Sequence, residues 1–193
     1  MDEKHPVVGQ SPYAATKIGA DQMAEAFHRS FGLPVVTLRP FNTYGPRQSA
    51  RAIIPTIITQ LASGVESIYL GSREPVRDFT FIDDTVRAFL LVAETTSFEG
   101  NLINIGSGSG ISIGDLADKL IGLSGRKVSI TTDSRRIRPT DSEVMRLVCD
   151  NSAALAKLGW SPKISLDQGL KTTYDWLTQP NNLAMYKPDQ YMI

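Results

Sequence analysis

Apolar and polar positions follow two rhythms along this chain, and the rhythms predict alternating helices and strands. Ser11-Pro12 is a helix entry, a capping hydroxyl followed by proline at the first helical position. From there Ala20, Met23, Ala24, Phe27 and Phe31 recur at helical spacing until Gly32 stops the helix. Residues 33–40 form a β-branched apolar run bounded by prolines, which reads as a buried, parallel strand. Residues 41–50 are a loop rich in Asn, Gly and Pro. Residues 52–62 are an apolar helix closed by Ser63-Gly64. Short strands are expected at 68–70 and 79–82, around the turn residues 71–75. Asp83-Asp84 then reads as the cap of a helix over 85–94. A buried strand at 101–105 ends in the turn 106–110, and Ser112 opens a helix to about residue 123. A strand at 128–131 and helices at 151–158 and 166–177 complete the pattern. The stretch from Gln179 has little periodicity and is expected to be loose.

Strands alternating with helices make this an α/β protein. The long parallel strands are too few for a full doubly wound sheet, so the expectation is a partial sheet with a small mixed lobe. A length of 193 residues suits that arrangement. Twenty basic and twenty acidic residues cancel, which argues against nucleic acid or a membrane surface as partner. A single cysteine, Cys149, excludes an internal disulfide and points to a reducing cytoplasm. There is no apolar stretch of membrane-spanning length and no secretory leader.

The chemistry centres on Tyr13-Ala14-Ala15-Thr16-Lys17. On a helix, positions i and i+4 share a face, about 5–6 Å apart at Cβ. An ammonium beside a phenol favours the phenolate, so such a tyrosine can serve as a general base. By itself the spacing is common and carries little. Three other features read as structural. His5 is a solvated loop residue. Residues 106–110 contain Gly-x-Gly-x-Gly, which lacks the dinucleotide-binding spacing and reads as a turn. Asp83-Asp84 has no His or Cys ligand set beside it, so no metal site is expected.

The surroundings of the Tyr-Lys pair change its weight. Ser11 to Lys17, the helix, the following strand and Arg39-Pro40-Phe41-Asn42-Thr43-Tyr44-Gly45-Pro46-Arg47 resemble the extended short-chain dehydrogenases/reductases in order and spacing. Arg77-Asp78-Phe79-Thr80-Phe81-Ile82-Asp83-Asp84 is similar to a further segment of that family, as are residues 104–108, Arg138-Pro139, Asp150 and Leu158-Gly159-Trp160-Ser161-Pro162. The resemblance is to the NAD-dependent epimerase/dehydratase branch. Within it the nearest match is the bacterial UDP-N-acetylglucosamine 4,6-dehydratase type, which rests mainly on residues 39–51. The resemblance implies the C-terminal part of a Rossmann-like doubly wound sheet plus a small mixed α/β substrate-binding lobe. Residues 1–50 and 85–110 would form the partial core, 51–84 and 111–178 the lobe, and 179–193 a tail. It implies Tyr13 as base and Lys17 as the residue that tunes Tyr13 and bonds the nicotinamide ribose. Pro40 would line the nicotinamide site, Asn42 would contact the diphosphate region, and Arg77 and Arg138 would bind the diphosphate.

The family opens with a strand, a Gly-rich turn and a helix that receives the pyrophosphate. These 193 residues contain no such unit, nor the family's upstream active-site Ser or Thr and its acidic neighbours. The expectation is a fragment of an NAD- or NADP-dependent nucleotide-sugar 4,6-dehydratase or epimerase, inactive and without tight cofactor binding by itself. The alternative is a non-catalytic nucleotide-sugar-binding or assembly module. Expected partners are a nucleotide-diphosphate sugar, a second copy of the chain, and an N-terminal half supplied separately.

Overall fold

The local signals at the first helix act as written. In the computed structural model, which describes residues 1–96, 98–137, 139 and 142–186, helix α1 runs Pro12–Phe31. Ser11 Oγ accepts from the Ala14 N–H at 3.1 Å, and Gly32 ends the helix in the left-handed region at φ 66°. The half-buried side of α1 carries Ala14, Ile18, Asp21, Ala24 and His28. Of the apolar stripe, Met23, Phe27 and Phe31 are exposed and Ala24 is half-buried.

The strand that follows is shorter and more open than the sequence predicts. Residues 33–36 turn, with the Val35 N–H donating to the Leu33 carbonyl, and β1 is only Thr37–Pro40. It pairs in parallel with β5, Leu102–Ile105, and that is its one strand partner among the described residues. β1 stays half-buried, whereas β5, also with a single strand partner among the described residues, lies under Ala88, Ala154 and Trp160 and buries Ile103 and Ile105. The full burial expected of β1 is therefore corrected, while its parallel pairing is as expected.

The second sheet is organised by β4, Val76–Phe81. Its last half pairs in parallel with β2, Asn42–Tyr44. Its first half pairs antiparallel with β6, Gly110–Ser112, and parallel with β8, Arg146–Leu147. A third pair joins β3, Ser67–Leu70, to β7, Ser129–Thr132. Against these strands pack α2, Ile53–Ala62, α4, Ile113–Ser124, and α6, Leu166–Leu177, whose buried Ile54, Ile57, Leu116, Leu120 and Leu170 meet Tyr44, Phe79 and Phe81. A separate apolar cluster gathers Ala88 of α3, Ile82–Glu94, with Ile103, Ile105, Phe98, Trp160 and Ala154 of α5, Ser152–Leu158.

Gly169 lies inside α6, where alanine has the better helix propensity by about 1 kcal/mol. A Cβ there would meet Tyr44 Oη at 2.1 Å and Phe81 Cδ2 at 2.8 Å. Close packing of α6 on the sheet, not helix propensity, requires glycine at this position.

Three further expectations are revised. Helix α3 begins at Ile82, so Asp83 and Asp84 lie in its first turn and neither caps it. The Asp84 carboxylate, 2% exposed, instead accepts the backbone N–H groups of Lys163 and Ile164 and pairs with Arg87. The turn 106–110 leads into β6 before α4 begins. The stretch from Gln179 is not loose as far as Tyr186. It forms α7, Pro180–Leu183, and Tyr186 Oη donates to the Gln48 carbonyl at 2.8 Å while Leu183 packs on the main cluster. Residues 187–193 lie outside the described residues.

Candidate active site

The first turns of α1 set the site. Tyr13 and Lys17 stand one turn apart, and the Lys17 Nζ lies 5.7 Å from the Tyr13 ring centroid. The phenol is 71% exposed, open to a ligand. Both side chains line a cleft of about 820 Å³ whose walls include Pro40 and Arg39 at the end of β1, Val7 and Val8 before α1, and residues 143–147 opposite. Arg39 Nε donates to Asp21 Oδ2 at 2.7 Å, which ties the end of β1 to the inner face of α1. His5, exposed as a loop residue should be, also borders this cleft.

A second, smaller pocket of about 320 Å³ is lined by Asn42, Arg77, Gln48, Arg51, Arg136 and Glu143. Asn42 is oriented by the sheet: its Nδ2 donates to the Asp78 carbonyl at 2.8 Å. Arg77 Nη1 donates to the carbonyls of Val76 and Val144, and Nη2 donates to Glu143 Oε1 at 2.6 Å. Glu143 borders both cavities. The structure thus brings Tyr13, Lys17 and Pro40 to one cleft and Asn42 and Arg77 to the adjoining pocket. Arg138 lies outside the described residues.

Sequence reading missed Glu143, Arg51, Arg136 and the Asp21–Arg39 pair as parts of these walls. Glu143 had one usable signal, an acid that stands with Asp141 within a stretch that holds Arg135, Arg136, Arg138 and Arg146. The others had none, since α1 and β1 meet only in the fold.

Asp78 holds the frame of the site. On β4, with no exposed surface, its carboxylate accepts the N–H groups of Ser107, Gly108 and Cys149 and the Ser107 hydroxyl. Arg77 beside it secures the 143–147 segment. Burial, with Asp78 nearby, pushes the Cys149 thiol up to about 12, so this cysteine is an inert core group and not a nucleophile. Among the described residues no group of three or more His, Cys, Asp or Glu is placed to hold a metal, and no helix is long and apolar enough to cross a membrane.

Comparison with known proteins places this geometry. Residues 1–173 match the family described as GDP-mannose 4,6 dehydratase. A dTDP-glucose 4,6-dehydratase of Actinoplanes sp. is 30% identical over 177 residues, covering 90% of this chain and 53% of that protein. The structure of the UDP-glucuronic acid 4-epimerase from Bacillus cereus, in complex with UDP-glucuronic acid and NAD, aligns with a TM-score of 0.85 at 31% identity, over 93% of this chain and 56% of its own. Pal from Bacillus thuringiensis aligns with a TM-score of 0.82 at 35% identity, over 92% of this chain and 56% of its own. The chain spans about half the length of these relatives. With Tyr-x-x-x-Lys at the mouth of its cleft and Arg-Asp at the centre of its second sheet, the chain belongs to the GDP-mannose 4,6-dehydratase family, within the NAD-dependent epimerase/dehydratase branch of the short-chain dehydrogenases/reductases.

Proposed function

We propose that this chain supplies the catalytic pair and the sugar-nucleotide side of an NAD(P)-dependent nucleotide-sugar 4,6-dehydratase or epimerase. The observation that carries the reading is adjacency. The Tyr13–Lys17 cleft adjoins a pocket lined by three arginines, and Glu143 borders both. A ligand with its sugar at Tyr13 and its diphosphate at Arg77 would span the two. Tyr13 takes the proton of a sugar hydroxyl through its exposed oxygen. Lys17 favours negative charge on that oxygen and would bond the nicotinamide ribose. Pro40 would line the nicotinamide site. Asn42 and Arg77 would hold the diphosphate, a task suited to a planar guanidinium, with Arg138 as the proposed second arginine. A nicotinamide cofactor held beside Lys17 and Pro40 would supply the hydride acceptor. The finer assignment, a UDP-N-acetylglucosamine type 4,6-dehydratase, draws on residues 39–51. Residues 1–50 and 85–110 are assigned to a partial Rossmann-like core, 51–84 and 111–178 to a substrate lobe, and 179–193 to a tail. The two apolar clusters follow that division in part: Tyr44, Ala153, Ala154, Leu158 and Trp160 pack across it, Leu183 and Tyr186 join the main cluster, and β2 pairs with β4.

The test is calorimetric titration of these 193 residues with UDP- and dTDP-sugars and with NAD. Nucleotide-diphosphate sugars should bind, and Arg77→Lys should weaken them. NAD should not bind tightly, because the stretch has no Gly-rich dinucleotide unit, and no sugar nucleotide should be turned over. A well-folded chain indifferent to every nucleotide-diphosphate sugar would refute the reading, and micromolar NAD affinity would refute its account of the cofactor.

One observation favours an assembly role alongside. Met23, Phe27 and Phe31 form an exposed apolar row on α1, and among the described residues one edge of β1 pairs with no strand. We infer a homo-oligomer, most simply a two-fold dimer, built on this face. Light scattering at micromolar concentration should give a mass above that of one chain. A cooperatively melting monomer would overturn the inference.

A further inference from the structure

The Arg77 pocket holds three arginines, Arg51, Arg77 and Arg136, and one carboxylate, Glu143, among its described lining residues. The Arg77–Glu143 pair is mostly withdrawn from water, with side chains 14% and 16% exposed and 2.6 Å between Nη2 and Oε1. Two backbone carbonyls, of Val76 and Val144, fix Nη1 of Arg77. The guanidinium is therefore positioned without Glu143, and Glu143 supplies charge.

We propose that Glu143 is an internal stand-in for the ligand's phosphates and a specificity-determining residue of this pocket. A ligand binds at Arg77 only when its phosphates outcompete a carboxylate already in place. A diphosphate can do so because it carries more charge and more acceptor oxygens than one carboxylate. An anion of lower charge cannot, so the pair filters ligands by charge. The pair also protects the apo protein, since a buried guanidinium without an anion is costly. The proposal rests on the reading of Arg77 as a diphosphate-binding residue.

The experiment is calorimetric titration of the 193-residue chain with inorganic pyrophosphate. The proteins are the parent, Glu143→Gln, Arg77→Lys and the double variant. Glu143→Gln keeps the shape and an acceptor oxygen and removes the competing charge. It should bind pyrophosphate about tenfold tighter than the parent. Arg77→Lys should weaken binding in both backgrounds. If Glu143→Gln folds less well, pyrophosphate should raise its melting temperature more than the parent's, because the anion replaces the missing partner. Equal or weaker binding by Glu143→Gln, with Arg77→Lys still harmful, would mean that Glu143 positions Arg77 and does not compete with ligand. That result sinks the proposal and leaves the function reading standing. Indifference of both backgrounds to Arg77→Lys, or no pyrophosphate binding by the parent and Glu143→Gln alike, would remove the role of Arg77 itself and the proposal with it.

Discussion

Replacing Asp78 by alanine should bring the chain to the edge of unfolding. The carboxylate has no exposed surface and accepts the Ser107 N–H at 2.8 Å, the Gly108 N–H at 2.9 Å, the Cys149 N–H at 3.1 Å and the Ser107 hydroxyl at 2.6 Å. Removing it strands three backbone donors, each costing about 1–3 kcal/mol when buried and unpaired. Water entering the space left behind would recover part of that, so the net loss is put at about 3–5 kcal/mol. A domain of this size has on the order of 5–15 kcal/mol in total. Asp78→Asn keeps one acceptor and turns an NH₂ toward at least one donor, so it should fall between alanine and the parent. Urea unfolding checks this through the midpoint at constant m-value. An alanine variant within about 1 kcal/mol of the parent would show that these donors find other partners, at odds with the stated cost of a lost buried acceptor.

The same residue shows where sequence reading stops. Arg77-Asp78 was legible as a family segment, but not that the two side chains serve different parts of the chain. Arg77 reaches the 143–147 segment, and Asp78 reaches the turn after β5 and the start of the approach to α5. Helix α1 was legible to the residue because its start and stop signals are local: a serine and a proline at one end and a left-handed glycine at the other. Strands β2, β6 and β8 were not, since they are two or three residues long and owe their existence to β4, tens of residues away. Asp84 illustrates the converse failure. An aspartate at a helix start has the signature of a cap, but beside the local Arg87 its partners are the N–H groups of residues 163 and 164, which no local rule can supply. The α1 stripe marks a related limit. Apolar periodicity marks a face that needs covering, and says nothing about whether this stretch of chain covers it. Within the site, Tyr13 and Lys17 were proposed from spacing and resemblance together and Pro40 from resemblance, and the three share one cleft. Glu143 was not, because its meaning depends entirely on Arg77.

In an enzyme assembled with the dinucleotide-binding half, Tyr13→Phe is expected to lower kcat by about 10²–10⁴-fold, the range for loss of a positioned general base. That corresponds to about 3–5 kcal/mol of barrier. Substrate affinity should change little, because Arg77 and Asn42 in the adjoining pocket are assigned the diphosphate and are untouched by the substitution. Stability should also hold. The Tyr13 ring is 71% exposed, so deleting its hydroxyl opens no cavity and strands no buried group. This separates chemistry from folding more cleanly than most active-site variants allow. Lys17→Ala should behave differently. With its Nζ 5.7 Å from the Tyr13 ring centroid, Lys17 is assigned both to the charge on the phenol oxygen and to the cofactor ribose. Its loss should therefore raise the KM for the cofactor as well as lower kcat. The measurement is steady-state turnover of a nucleotide sugar by both variants, with a thermal melt of each. A Tyr13→Phe enzyme that turns over at the parental rate would remove Tyr13 from the role of base. A pair of variants with identical kinetic defects would mean that Lys17 acts only through Tyr13 and does not hold the cofactor.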